Sequence, residues 1–317
     1  MLPVKEMQIG ILEPDRFCLD VEKQLSAIGQ VIFFDGKDLD QFLAELDVLF
    51  VRLSYKIDNA FIAKCNKLQY LCSPTTGHTH IDESEVARKG IEIISLRGQR
   101  EFLETIRATP EHTFGLILAL LRKYKPALVQ VDKGGWNRDQ LRGEELFGQR
   151  VGIIGLGRVG FRVASYCSAF GARINYHDKQ DVVADDSWLS LQDIKSVISQ
   201  SQIVVLCASY SNGDEPIIGA GEVEMLKGKY FINTARGELV DEICLLQAVK
   251  ESRLRGIATD VITDETANNN LSQWRDCAIA NENVIVTPHI GGATFNSMAR
   301  TEGFIAKRLE HLIRKEK

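Results

Sequence analysis

Between Arg150 and Gly160 the chain reads Arg-Val-Gly-Ile-Ile-Gly-Leu-Gly-Arg-Val-Gly, a short apolar run leading into glycines at positions 155, 157 and 160. Few folds accommodate such a run. A strand can turn sharply on Gly155, bring its backbone close to a ligand at Gly157, and let the following helix pack closely at Gly160. Together these make the first βαβ unit of a dinucleotide-binding sheet. The N-terminus of that helix then presents unpaired N–H groups to the pyrophosphate. Downstream residues agree: Phe161 to Phe170 has helical spacing of apolar residues, Gly171 can end the helix, and Arg173 to His177 reads as the next strand. Asp178 closes that strand about 20 residues beyond the glycines, where a carboxylate accepts hydrogen bonds from ribose hydroxyls and repels a 2′-phosphate. The expected cofactor is therefore NAD rather than NADP, the bland alternative for Asp178 being a solvated acid at a strand end.

A length of 317 residues predicts two domains. The formal net charge of -5 gives no reason to expect a nucleic acid or an anionic membrane as partner. Seven cysteines are scattered without a Cys-x-x-Cys pair or metal-ligand spacing, so reduced thiols in a cytoplasmic protein, and no metal site, are expected. No stretch approaches the roughly 20 apolar residues of a membrane span.

Strand-like segments recur at Met7 to Leu12, Gln30 to Phe34, Asp47 to Val51, Leu68 to Cys72 and Ile91 to Ser95. Helical connections fit Leu19 to Ile28, Asp58 to Cys65 and Asp82 to Lys89, the last with Asp82 as N-cap. This predicts an α/β protein whose first part is itself a doubly wound parallel sheet. A long helix is expected from about Phe102 to Tyr124, bent or broken near Pro110, with Pro126 just past its end and a loop at Lys133-Gly134-Gly135-Trp136. After the glycine turn, strands are expected at Ile203 to Cys207, Tyr230 to Asn233, Gly256 to Asp260 and Val284 to Thr287. Ligands of open parallel sheets lie beyond the carboxyl ends of the strands. Residues Asp178, Thr234-Ala235-Arg236, Asp260 and Pro288-His289 are therefore expected to converge.

Asn233-Thr234-Ala235-Arg236-Gly237, Thr259-Asp260-Val261 followed by Glu265, and Thr287-Pro288-His289-Ile290-Gly291-Gly292 occur in that order after the glycine turn. With them the chain resembles, over essentially its whole length, the D-2-hydroxyacid dehydrogenases, and within them the D-3-phosphoglycerate dehydrogenase-like members. The resemblance implies a Rossmann NAD-binding domain (106–293) inserted into a flavodoxin-like substrate domain (1–105 and 294–317). It also implies a catalytic set of Arg236, Glu265 and His289, and an NAD site including Arg158, Val159, Asp178, Thr234 and Asp260. Backbone N–H groups of the loop holding Thr75, Thr76 and Gly77 would bind the substrate carboxylate, placing substrate between the domains. A homodimer is implied through the long helix and the arm near Trp136. Departures are specific: Ser73 stands where many phosphoglycerate dehydrogenases carry Arg, and Thr266 follows Glu265 where Pro is usual.

The residue types carry chemical meaning of their own. Reducing a 2-oxoacid requires a proton for the developing alkoxide, and His289 is suited to give it, with Glu265 orienting the ring. Arg236 offers a planar donor fork matching a carboxylate. Arg52, at a strand end, is read either as a contact to a second anionic group or as a salt bridge. His78 and His80 are read as bordering the substrate mouth or as surface or packing residues, and His112 as a structural residue of the long helix. Two other functions fit the same fold. One is an NAD(H)-sensing, corepressor-like protein with little turnover. The other is formate oxidation, whose branch uses Gln where Glu265 stands.

Overall fold

The computed structural model describes residues 7–211, 213–266 and 270–315. Two compact units are present, Met1–Ile106 with Thr294–Lys317, and Arg107–Ala293. The first contains β1 (Gln8–Ile11), β2 (Gln30–Phe33), β3 (Val48–Phe50), β4 (Tyr70–Ser73) and β5 (Glu92–Ser95), all parallel, in the order β2-β1-β3-β4-β5. That is the flavodoxin-like order, with a switch in winding direction between β1 and β3. The second contains β6 (Arg150–Ile154), β7 (Arg173–His177), β8 (Leu189–Ser190), β9 (Ile203–Leu206), β10 (Tyr230–Asn233), β11 (Gly256–Thr259) and β12 (Val284–Val286). Its order, β12-β11-β10-β9-β6-β7-β8, is that of a Rossmann sheet with its switch between β6 and β9. The expectation of two doubly wound parallel sheets is met.

The central strands are largely apolar because helices cover both faces of a parallel sheet. Ile203, Val204, Val205 and Leu206 of β9 are all 0% exposed, each stabilising the fold by about 1.5–3 kcal/mol relative to a solvated side chain. Helix starts follow the acids in the sequence. Asp82 accepts from Glu85 N at 3.1 Å and caps Glu83–Arg88, and Asp58 accepts from Phe61 N at 3.0 Å and caps Asn59–Ile62. The C-terminal helix Phe295–Lys315 buries Ile305 and Leu309 in the core of the five-stranded unit, and Phe304 stacks on Phe102 at 4.1 Å.

The single long helix expected over 102–124 is instead three helices, Arg100–Leu103, Ala108–Leu121 and Tyr124–Asp132. Both prolines begin helices rather than ending them. Pro110 and Pro126 each occupy the third residue of a helix, where an N–H would lack an intrahelical acceptor anyway. The break between the last two helices falls on Lys123, whose φ of 52° is left-handed. The loop expected at Gly134 is present, with φ 77° just after the helix ends.

Candidate active site

β6 ends at Ile154 and the chain turns on Gly155, whose φ of 89° suits glycine and whose N–H donates to His177 O at 2.9 Å. A Cβ at Gly155 would come within 2.7 Å of the Ala208 backbone, and one at Gly160 within 2.0 Å of Gly155 O. Those two positions let the switch between β6 and β9 close tightly around the turn. At Gly157, by contrast, a Cβ would meet nothing within 4 Å. The helix Arg158–Ala169 begins there with no side-chain cap at Gly157. This is a cradle fitted to a pyrophosphate. Asp178 follows β7 beside it, accepting from Leu156 N at 2.7 Å and Gln180 N at 2.9 Å, so the carboxylate braces the turn.

Beyond β10, the Asn233 side chain accepts from Ala235 N (3.0 Å) and donates to Arg236 O (2.9 Å), fixing the loop that carries Arg236. A Cβ on Gly237 would lie 2.1 Å from the Ile262 carbonyl carbon, so this loop is pressed onto the one that leads to Glu265. Burial pulls the Arg236 guanidinium below its ordinary pKa while the charges of Glu265 and Glu238 oppose the shift. The Thr234 hydroxyl is buried and lies 2.7 Å from that of Thr113.

His289 Nδ1 lies 2.6 Å from Glu265 Oε2, and Glu265 Oε1 accepts from Ile262 N at 3.2 Å. The backbone around this pair is strained. His289 has φ 53° and Asp264 φ 55°, each a left-handed non-glycine residue costing on the order of 1–3 kcal/mol unless its surroundings hold it there. Asp260 supplies that hold. Its carbonyl accepts from His289 N at 2.9 Å, and its carboxylate accepts from Thr287 Oγ1 (2.5 Å), Ile290 N (2.9 Å) and Gly291 N (2.7 Å). Burial pushes the Asp260 carboxyl up, but these bonds and the adjacent His112 outweigh it and leave its pKa below the usual carboxylate value.

The sequence reading missed one participant. His112 Nε2 lies 3.2 Å from Thr287 Oγ1 and 3.3 Å from Asp260 Oδ1, within the network beneath the His289 turn. The available signal was a polar group, Thr109, His112 and Thr113, on a face that continues as buried Leu116, Ile117 and Leu120.

The remaining expected residues lie in the five-stranded unit. After β4, Thr75 Oγ1 bonds Ser73 Oγ (2.8 Å) and Gly77 O (2.9 Å), shaping the loop through Thr76. Arg52 is committed to a salt bridge: its Nε and Nη2 reach Glu302 Oε1 at 3.0 and 2.6 Å, and its Nη1 donates to Asp15 O at 2.9 Å. His78 and His80 are buried, as the packing alternative requires, and His78 Nδ1 lies 3.2 Å from Glu83 Oε1. Among the described residues no helix is long and apolar enough to cross a membrane.

A glycine turn at the switch of a Rossmann sheet, with an imidazole held by a carboxylate beyond its neighbouring strands, defines a dinucleotide-binding α/β protein. Residues 114–291, more than half of the chain, match the family model of the D-isomer specific 2-hydroxyacid dehydrogenase NAD-binding domain. The chain belongs to that family and carries its NAD-binding domain. It is 30% identical over 315 residues to the D-3-phosphoglycerate dehydrogenase of Methanocaldococcus jannaschii, covering 97% of this chain but only 58% of that relative's length. A glyoxylate reductase of Thermofilum pendens is 29% identical over 290 residues, covering 88% of this chain and 82% of that one. Among solved structures, the D-lactate dehydrogenase of Aquifex aeolicus complexed with NAD and lactic acid shares the fold, with a TM-score of 0.80, 24% identity and coverage of 97% and 96%.

Proposed function

We propose that this chain is an NAD-dependent D-2-hydroxyacid dehydrogenase, interconverting a small 2-oxoacid and its 2-hydroxyacid. The observation that carries the reading is the 2.6 Å contact between His289 Nδ1 and Glu265 Oε2. With Nδ1 occupied by the carboxylate, Nε2 is the ring nitrogen left to exchange a proton with substrate. Bound NADH supplies the hydride for C2 of the oxoacid. In the reductive direction His289 gives its Nε2 proton to the C2 oxygen as that oxygen gains charge, and in the oxidative direction the neutral ring accepts it back. Glu265 orients the ring and complements the imidazolium. Arg236 binds the substrate carboxylate through its donor fork and stabilises charge developing on the neighbouring oxygen. The cradle at Gly155, Gly157 and Gly160, with Arg158, Val159, Asp178, Thr234 and Asp260, is assigned to NAD. Thr75, Thr76 and Gly77 are assigned to the substrate carboxylate.

The assembly we propose is a homodimer. Tyr124, Leu128 and Val131 are exposed at i, i+4, i+7 spacing on one helix, and Trp136 beyond it is 91% exposed. Apolar surface so clustered favours a protein partner, and a monomer mass independent of concentration would contradict it. All seven cysteines are free thiols, which supports a reducing cytoplasmic setting. The enzymatic assignment is tested by NADH oxidation with pyruvate, glyoxylate and hydroxypyruvate. Acid-dependent oxidation is expected, and tight NADH binding without turnover on any acid would favour a sensor instead.

A further inference from the structure

The five-stranded sheet has its own switch point between β1 and β3, and in open parallel sheets that is where ligands bind. Glu13 follows β1 and Arg52 follows β3. Together they build what an anion would need, a run of three backbone N–H groups at Arg52, Leu53 and Ser54 and a guanidinium beside it. The chain fills both. Glu13 Oε1 accepts from Leu53 N (3.1 Å) and Ser54 N (2.9 Å), and its Oε2 accepts from Arg52 N. Glu302, from the C-terminal helix and 1% exposed, takes Nε and Nη2 of Arg52, while Asp15 O takes Nη1. Glu302 Oε2 also accepts from Cys18 N at 3.4 Å, so the carboxylate is tethered on both oxygens. The hollow left between these groups has a volume of about 10 Å³, room for about one water and not for a phosphate.

The charged residues that line this hollow are therefore two carboxylates, Glu13 and Glu302, and one guanidinium, Arg52. We infer that the substrate carries a single anionic group, its carboxylate, and that Glu13 and Glu302 are specificity residues that exclude 2-oxoacids bearing a phosphate or a second carboxylate. The inference rests on the dehydrogenase reading above and narrows its substrate to uncharged side chains such as those of glyoxylate, pyruvate or hydroxypyruvate. It separates this chain from what the name of its phosphoglycerate dehydrogenase relative suggests.

The test compares hydroxypyruvate with phosphohydroxypyruvate, and pyruvate with 2-oxoglutarate, on the full chain with NADH. The expected kcat/KM is at least about 100-fold lower for each acid bearing a second anionic group, the scale of discrimination by an unpaired or repelled charge. Equal or better use of the phosphorylated acid would overturn the inference. Glu302→Gln and Glu13→Gln keep side-chain shape and remove charge. In each folded variant the discrimination should narrow at least about tenfold, chiefly through a lower KM for the acid bearing the second anionic group. An unchanged ratio in both would remove these residues from specificity. Calorimetric titration of the chain–NADH complex with D-glycerate and with 3-phosphoglycerate reads the same preference without turnover. Preferred binding of D-glycerate with no turnover on any acid would sink the dehydrogenase reading and leave the exclusion standing, whereas preferred binding of 3-phosphoglycerate would sink the exclusion.

Discussion

The two sheets use their switch points in opposite ways. Between β6 and β9 the turn carries glycine at 155, 157 and 160, and no side chain caps the twelve-residue helix that follows. Between β1 and β3 a comparable cluster of N–H groups is capped by Glu13, and the adjacent cation is neutralised by buried Glu302. One topology rule locates both places, but only the side chains decide whether an anion is received or excluded. A parallel sheet thus predicts where a ligand goes more firmly than what its charge is.

The largest effect should come from the proton-transfer group of the open side. His289→Ala is expected to lower turnover by about 10²–10⁴, the scale for a positioned acid–base group, while NADH affinity measured by fluorescence stays within a few-fold. Unaltered turnover would remove His289 from the chemistry.

Filling the open cradle is the next test. Gly160→Ala places a Cβ 2.0 Å from Gly155 O. Backbone has to move, so the fold should lose about 1–3 kcal/mol in denaturant unfolding and NADH should bind at least about tenfold more weakly. Full NADH affinity in a folded Gly160→Ala variant would mean that the turn does not hold the pyrophosphate.

Asp260→Ala removes the acceptor for Ile290 N and Gly291 N and is expected to cost about 1–3 kcal/mol for each buried group left unsatisfied, with turnover falling as the His289 turn relaxes. Its pH dependence has a definite sign. The folded carboxyl titrates below its ordinary value, so its contribution is present above the unfolded pKa and is lost as pH falls through the folded one. Asp260→Asn should therefore show a smaller stability loss on the acid side than the wild type. An acid limb of the same steepness would show that Asp260 is not the group responsible.

The smallest effect is expected at Asp178. Asp178→Ala should weaken NAD about tenfold and narrow the preference over NADP, because the carboxylate that favours ribose hydroxyls and repels a 2′-phosphate is gone. Identical cofactor selectivity would leave Asp178 as a brace for Leu156 N only.

Features written in local sequence were legible. Strands announced themselves as apolar runs, the turn as three glycines, and the Asp82 helix by its cap. Features that depend on distant partners were not. Arg52 could be read as an anion contact or a salt bridge, and what decides is Glu302, 250 positions away. The role of Asp260 was read toward the cofactor alone, although its two oxygens accept protein bonds from residues around 30 positions downstream. His112 was assigned to its helix because nothing local indicates that Asp260 lies against it. The helix over 102–124 failed for a different reason. A proline marks a helix boundary without saying which side of it the helix lies on, and here Pro110 and Pro126 both stand inside first turns.

The most direct test of the central claim is stopped-flow mixing of the chain–NADH complex with hydroxypyruvate, alongside its His289→Ala variant. NADH absorbance should decay at a rate that saturates with acid, and the decay should be slower by at least about 100-fold in the variant. Absorbance that holds steady in the wild type across every singly charged 2-oxoacid, or decays equally fast without the imidazole, would contradict the account.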